Sequence, residues 1–152
     1  MGQHVVLSFF SYDKNKFWAF TQMQRAIPQL KQQPGIQFFR TLGTGAGLGF
    51  SLWPDFSTYA LLTVWESEAA ATTFLDSSAL METHVSKSAS QKHFSLHTLQ
   101  SHGLWGKSNP FTAEKRDLHD DEKIGIITRA TLRPSRLLEL WWGVPAASKA
   151  IQ

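Results

Sequence analysis

Residues 37–53 read QFFRTLGTGAGLGFSLW, and the fold turns on how this stretch is understood. It opens as an aromatic strand and then places glycine at alternate positions, Gly43, Gly45, Gly47 and Gly49, before Phe50, Leu52 and Trp53 resume the apolar pattern. Dinucleotide binding needs G-x-G-x-x-G between a strand and a helix. Here Leu48 occupies the third glycine's place and no helical pattern follows. There is no GK[ST] of a phosphate loop, and Ser51 is not framed by G-x-S-x-G. Two readings remain. Either the glycines form a bulged or flexible hairpin between two strands, or they form a loop that closes over a ligand.

Working outward, Val5–Tyr12 (VVLSFFSY) reads as a strand with apolar residues on both alternating sets, so both of its faces should be covered. Asp13 is placed to cap a helix over Lys14–Gln33, in which Phe17, Phe20, Met23, Ile27 and Leu30 recur at helical spacing. Pro28 predicts a kink or break there. Pro34-Gly35 turns into a second strand, Ile36–Thr44. After the glycines come a loop, Pro54–Thr58, and a third strand, Tyr59–Trp65. Ser67 is placed to cap a helix that carries Phe74 and Leu75. A further helical piece, Leu80–Ser88, and a fourth strand, His93–Ser101, follow.

The order β-α-β-β-α-β predicts an α+β protein built on the ferredoxin-like unit. Its helices cover one face of the sheet. The other face is also apolar and calls for a partner, most simply a second sheet in a homodimer or tandem repeat. Three segments are expected: the unit at 1–102, a polar linker at 103–123, and a first strand and helix of a second, incomplete unit at 124–152. That last expectation rests on layout: ATLRPSRLLELWWGVPAASKAI repeats the strand, turn and Pro-interrupted helix of FSYDKNKFWAFTQMQRAIPQL.

Composition narrows the function classes. The net charge of +3 is scattered, without the basic stripe of a nucleic-acid surface. The absence of cysteine excludes disulfides, thiolate metal sites and cysteine nucleophiles. The start MGQHVVLSFF lacks the layout of a signal peptide, Val6 replaces the Ser/Thr of a myristoylation site, and no apolar run reaches the length of a membrane span. A cytoplasmic protein is expected. Six Trp and eleven Phe against two Tyr suit an apolar or planar ligand as well as they suit a core.

His93 and His97 have zinc-pair spacing only on a helix; on a strand they stand about 13 Å apart. Arg40 and Arg129 lie inside apolar strands, where a charge needs a partner. Sparse acids in the core segments give no paired-carboxylate site.

Leu7-Ser8-Phe9-Phe10, Phe17-Trp18-Ala19-Phe20 with Gln22-Met23, Pro34-Gly35 and the glycine run to Phe50 resemble the spheroidene monooxygenase family of carotenoid biosynthesis. The similarity continues through Val64-Trp65, Gly103-x-Trp105-Gly106, Asn109-Pro110-Phe111, Thr128-Arg129-Ala130-Thr131 and Val144-Pro145-Ala146-Ala147-Ser148. The resemblance implies the dimeric α/β-barrel type of the fold. It also implies oxygenation of an acyclic carotenoid, an apolar polyene, to a keto product with O₂ and haem. Reaching that substrate implies peripheral contact with a membrane. Members are longer, so the chain reads as truncated within its second half. Trp18, Phe39, Gly43, Gly45, Gly47, Gly49, Phe50 and Arg129 are the candidate pocket residues, and His84 or His93 the candidate haem ligand. The alternatives are a cofactor-free monooxygenase of the same barrel type, and a non-catalytic ligand-binding dimer or fragment.

Overall fold

The computed structural model describes residues 2–46, 54–117, 119 and 121–128. Its elements run β1 (His4–Ser11), α1 (Lys16–Arg25), α2 (Ile27–Lys31), β2 (Ile36–Gly45), β3 (Pro54–Trp65), α3 (Glu68–Ser77), α4 (Ala79–Lys87) and β4 (Ser90–Leu96). The sheet order is β2-β3-β1-β4. β1 lies antiparallel to β3, with His4 opposite Trp65 and Ser11 opposite Thr58, and antiparallel to β4, with Val5 opposite Leu96. This is the ferredoxin-like βαββαβ arrangement that the order of strands and helices predicts.

The local signals explain most boundaries. The helix expected over 14–33 breaks at Ala26, so that Pro28 falls in the first turn of α2, where its missing N–H costs no bond. Ser67 and Ser78 cap α3 and α4 by accepting from the N–H groups of Ala70 and Met81, each at 3.2 Å. Other boundaries differ from expectation. Pro54–Thr58, expected as a loop, belongs to β3. β4 ends at Leu96, well short of Ser101, and its side chains are mostly exposed, as suits an edge strand.

Alternation on β1 and β3 divides the core between the two sheet faces. Towards the helices lie Val6, Phe10, Tyr12, Tyr59, Leu61 and Trp65, packed with Ala19, Leu30, Phe74 and Met81. The opposite face carries Val5, Leu62 and Val64, with Leu7, Phe38, Leu42 and Leu96 around them. Part of this face is covered from within the same unit. Trp105 and Phe111, in the stretch expected to be a linker, pack onto it, their rings 5.9 and 6.1 Å from that of Phe38. Gln3 holds this strap in place: its Nε2 donates to the Pro110 carbonyl at 2.9 Å, and its Oε1 accepts from the Thr112 N–H at 2.8 Å.

Arg40 is exposed, and no carboxylate pairs with it among the described residues. Its guanidinium lies 4.8 Å from the Phe38 ring and donates to the Trp105 carbonyl at 3.1 Å. Residues 2–44 and 56–115 form this first unit, and residues 45–55 with 116–152 form a second. Among the latter's described residues, Arg116 pairs with Glu122, whose carboxylate also accepts the His119 N–H at 3.1 Å. Ile124–Thr128 take no regular structure. The remainder of the strand and the whole of the helix expected beyond them lie outside the described residues, as do Gly47, Gly49, Phe50 and Arg129.

Gly35 connects α2 to β2 at φ +76°, and an added Cβ would sit 2.8 Å from the Ala70 Cβ. Its carbonyl accepts the Glu66 N–H at 2.9 Å. Gly35→Ala combines left-handed strain with a contact that backbone movement alone can relieve. It is expected to cost about 2 kcal/mol, read as a lower urea midpoint at unchanged slope.

Candidate functional site

The strongest candidate is a cavity between the sheet and α1, α2 and α4. Phe10, Tyr12, Thr41, Tyr59, Ala60 and Leu61 line it from the strand side; Ala19, Gln22, Met23, Ala26, Leu30, Leu80 and His84 close it from the helices. Its volume is about 30 Å³. That is room for one or two waters or a diatomic molecule.

The polar centre of this wall is Tyr12 with His84. Tyr12 lies just beyond the end of β1, only 1% exposed. Its hydroxyl is 2.7 Å from Nδ1 of His84, which projects from α4. Phe10 and Trp18 flank the imidazole at 5.0 and 5.1 Å, and Lys87 lies 5.4 Å from the Trp18 ring. Burial disfavours charge on both partners. It lowers the pKa of His84 to about 4. It raises that of Tyr12, with Tyr59, whose ring is 6.2 Å away, adding to the rise.

Near neutral pH the pair is therefore an uncharged phenol and an uncharged imidazole. It has two arrangements without heavy-atom movement. The phenol can donate to Nδ1. In the other imidazole tautomer, Nδ1–H donates to the phenol oxygen and leaves the Tyr12 O–H free to bond elsewhere. In that second form the pair can offer a proton to an oxygen atom that becomes negative inside the cavity.

A second polar row crosses β1 and β4 on the same sheet face. Ser8 Oγ is 2.8 Å from His93 Nδ1, and Ser95 Oγ is 2.7 Å from His4 Nε2. Burial lowers the pKa values of both histidines. None of these four residues lines the cavity.

The residues singled out from sequence fall in different places. Trp18 packs at a steep angle against Tyr12 and His84, and Phe39 packs on the helix-side core, but neither lines the cavity. Gly43 and Gly45 are in β2. A Cβ at Gly43 would meet nothing within 4 Å among the described residues, so no close approach to them requires glycine there. Tyr12, Gln22, Met23, Thr41 and Tyr59 were not among the expected pocket residues. A signal for two of them was present: the chain has two tyrosines, and both line this cavity.

Comparison with known proteins supplies the context. No protein-family model matches the chain. A spheroidene monooxygenase from Rhodobacter capsulatus is 27% identical over 148 residues, covering 95% of this chain and 61% of the relative. One from Cereibacter sphaeroides is 26% identical, covering 98% and 46%, and one from Rubrivivax gelatinosus is 25% identical, covering 83% and 48%. The chain thus spans about half to three-fifths of the length of these relatives. Among solved structures, a mutant of SnoaB, a cofactor-independent oxygenase from Streptomyces nogalater, matches with a TM-score of 0.50 at 14% identity, over 66% of this chain and 97% of its own. A Nitrosomonas europaea protein of unknown function matches with a TM-score of 0.51 at 16% identity, over 70% and 98%.

The haem expectation is corrected by these findings. SnoaB, on the same fold, is an oxygenase that works without a cofactor. The residues here do not fit the group either. The His84 ring is held between Phe10 and Trp18, and the cavity beside it is far smaller than the roughly 300 Å³ or more that cofactor pockets occupy. His93, on the edge strand β4, is tied to Ser8 of β1. Among the described residues no three His, Cys, Asp or Glu side chains gather as a metal site. The resemblance drawn from the motifs nevertheless stands: by its three curated relatives, this chain on a ferredoxin-like fold is a homologue of the spheroidene monooxygenases.

Proposed function

We propose that the chain is the catalytic module of a cofactor-independent monooxygenase that converts a methylene group of an apolar, electron-rich polyene to a ketone. The carotenoid class of substrate is taken from the named relatives. The observation that carries the reading is the small apolar cavity with the neutral Tyr12–His84 pair in its wall. The reaction balances without an external reductant: CH₂ + O₂ gives C=O + H₂O, with the substrate supplying all four electrons. An oxygen molecule fits the cavity as it stands. The reacting end of the polyene enters by displacing α1 side chains such as Met23. Tyr12 then donates to the developing oxygen anion, and His84 orients the phenol.

A second copy on the open sheet face and a cytoplasmic location are part of the proposal. Phe9 and Phe94, 6.0 Å apart, remain at the β1–β4 side of that face. Among the described residues no helix is long and apolar enough to cross a membrane. The test is oxygenation of an acyclic carotenoid under ¹⁸O₂ by protein dialysed against chelator and shown free of haem absorbance. The expected product is a ketone carrying one ¹⁸O atom. A product labelled from water, or turnover that appears only when haem is added, rejects the proposal.

A further inference from the structure

The outer face of α1 has no role in the cavity, and its chemistry is unusual for a helix exposed to water. Phe17 is 81% exposed and Phe20 53%. With Gln24 they stand at i, i+3 and i+7, one stripe along the helix. The far side of the same helix holds Ala19 and Gln22, with Met23 at its margin, all in the cavity wall. Two exposed aromatic side chains therefore sit back to back with the proposed substrate site, separated by the thickness of one helix.

Charge around the stripe is predominantly positive. Lys16 and Arg25 flank it at the two ends of α1 and are exposed, as are Lys14 before the helix and Lys31 at the end of α2. Lys87 of α4 joins them over Trp18. Asp13 is the one acidic residue in the first 53 positions. Exposed aromatics bordered by flexible cations on a short amphipathic helix match a lipid surface: the rings enter the boundary between headgroups and acyl chains while lysine and arginine reach anionic headgroups. A nucleic acid would favour the cations but give the two phenylalanines nothing to do. A protein groove would not select for a predominantly positive border.

We propose that the outer face of α1 docks the protein on an anionic lipid bilayer through Phe17 and Phe20, with Lys14, Lys16, Arg25 and Lys31 on the headgroups. This deepens the proposed function and rests on it for its purpose. A polyene dissolved in the bilayer would reach the cavity from beneath the docked helix, without crossing water. The docking itself is a property of the surface and is measured without substrate.

The experiment is co-sedimentation of the full chain with vesicles of phosphatidylcholine alone and of phosphatidylcholine mixed with phosphatidylglycerol. Binding is expected to the mixed vesicles and to weaken as salt is raised. Phe17→Ser with Phe20→Ser should lower the partition coefficient about tenfold or more. Lys16→Glu with Arg25→Glu should remove the preference for the anionic vesicles, since each cation near such a surface is worth about fivefold. All four positions are exposed, so circular dichroism should be unchanged. Binding that ignores the two phenylalanines overturns the proposal. So does light scattering that shows a dimer dissolved by the Phe17/Phe20 pair, which would assign the stripe to a second copy. Failure of the functional reading looks different: no ketone forms from detergent-dispersed carotenoid while vesicle binding persists. Failure of docking leaves that turnover intact.

Discussion

Trp65→Ala is expected to lower the unfolding free energy by about 3–5 kcal/mol, against a total of only about 5–15 kcal/mol for a domain of this kind. Trp65 is fully buried at the end of β3, its ring 4.9 Å from that of Phe74 on α3. Its indole Nε1–H donates to Thr63 Oγ1 at 2.8 Å, and that hydroxyl in turn donates to the Val6 carbonyl at 3.3 Å. One side chain thus ties β3 to the helix layer and, through Thr63, to β1. Truncation removes a large apolar volume from a site braced by a strand on each side, so collapse into the gap should be poor. Urea unfolding followed by circular dichroism measures the loss. Thr63→Val offers a milder check, because it leaves the indole N–H buried without its acceptor and should cost about 1–3 kcal/mol. If Trp65→Ala lost less than Thr63→Val, the packing argument would fail.

Trp65 also shows what a sequence can disclose. Tyr59–Trp65 is apolar on both alternating sets, and the inference that both faces are covered follows from period two alone. The caps at Ser67 and Ser78 and the break near Pro28 are local effects, so local sequence carries them. α1 was harder. Phe17, Phe20 and Met23 share helical spacing, and the natural reading puts all three inside. The buried residue is Ala19, one position from Phe20 and therefore about 100° around the helix. Ala19 and Met23 face the sheet, and the larger rings of Phe17 and Phe20 are left outside. Spacing identifies a helix, but here it did not choose the inward face.

Features assembled from distant segments were less legible still. β4 is polar because its side chains are mostly exposed, which removes the apolar alternation that would have placed its ends. The segment from 103 onwards looked like a linker because polar residues dominate it. Trp105 and Phe111 are the hint that it packs, and their contact with Phe38 spans most of the unit. The cavity draws on β1, β2, β3, α1, α2 and α4, and no single stretch carries its pattern. His84 attracted attention as a metal ligand. Its neighbour across the fold, Tyr12, makes it a hydrogen-bonding partner instead.

That pairing yields the largest expected functional effect. If the proposed reaction is correct, Tyr12→Phe should reduce ketone formation about 100-fold, the lower end of what a positioned proton donor contributes, with little change in fold because the ring remains. His84→Gln should lower turnover less than Tyr12→Phe, since the glutamine amide N–H can still donate to the phenol oxygen and only the orientation is loosened. The double variant should be no worse than Tyr12→Phe alone, because the two act as one unit. Multiplying losses would mean that His84 has an independent role. Acid stability gives a separate readout. The folded protein holds His84 near pKa 4, whereas the unfolded chain restores the ordinary value of 6.5. Between those values the unfolded state binds more protons, so stability is full above about pH 6.5 and falls as the pH drops towards 4. After allowance for its partial exposure, His84 should account for about 2 kcal/mol across that window. His84→Gln should flatten this part of the curve, leaving the smaller contributions of His4 and His93, which burial shifts in the same direction. Tyr12→Phe should leave the acid limb in place, because burial rather than the phenol sets the His84 shift. A variant that loses turnover while keeping that limb therefore separates proton donation from the environment that keeps the imidazole neutral.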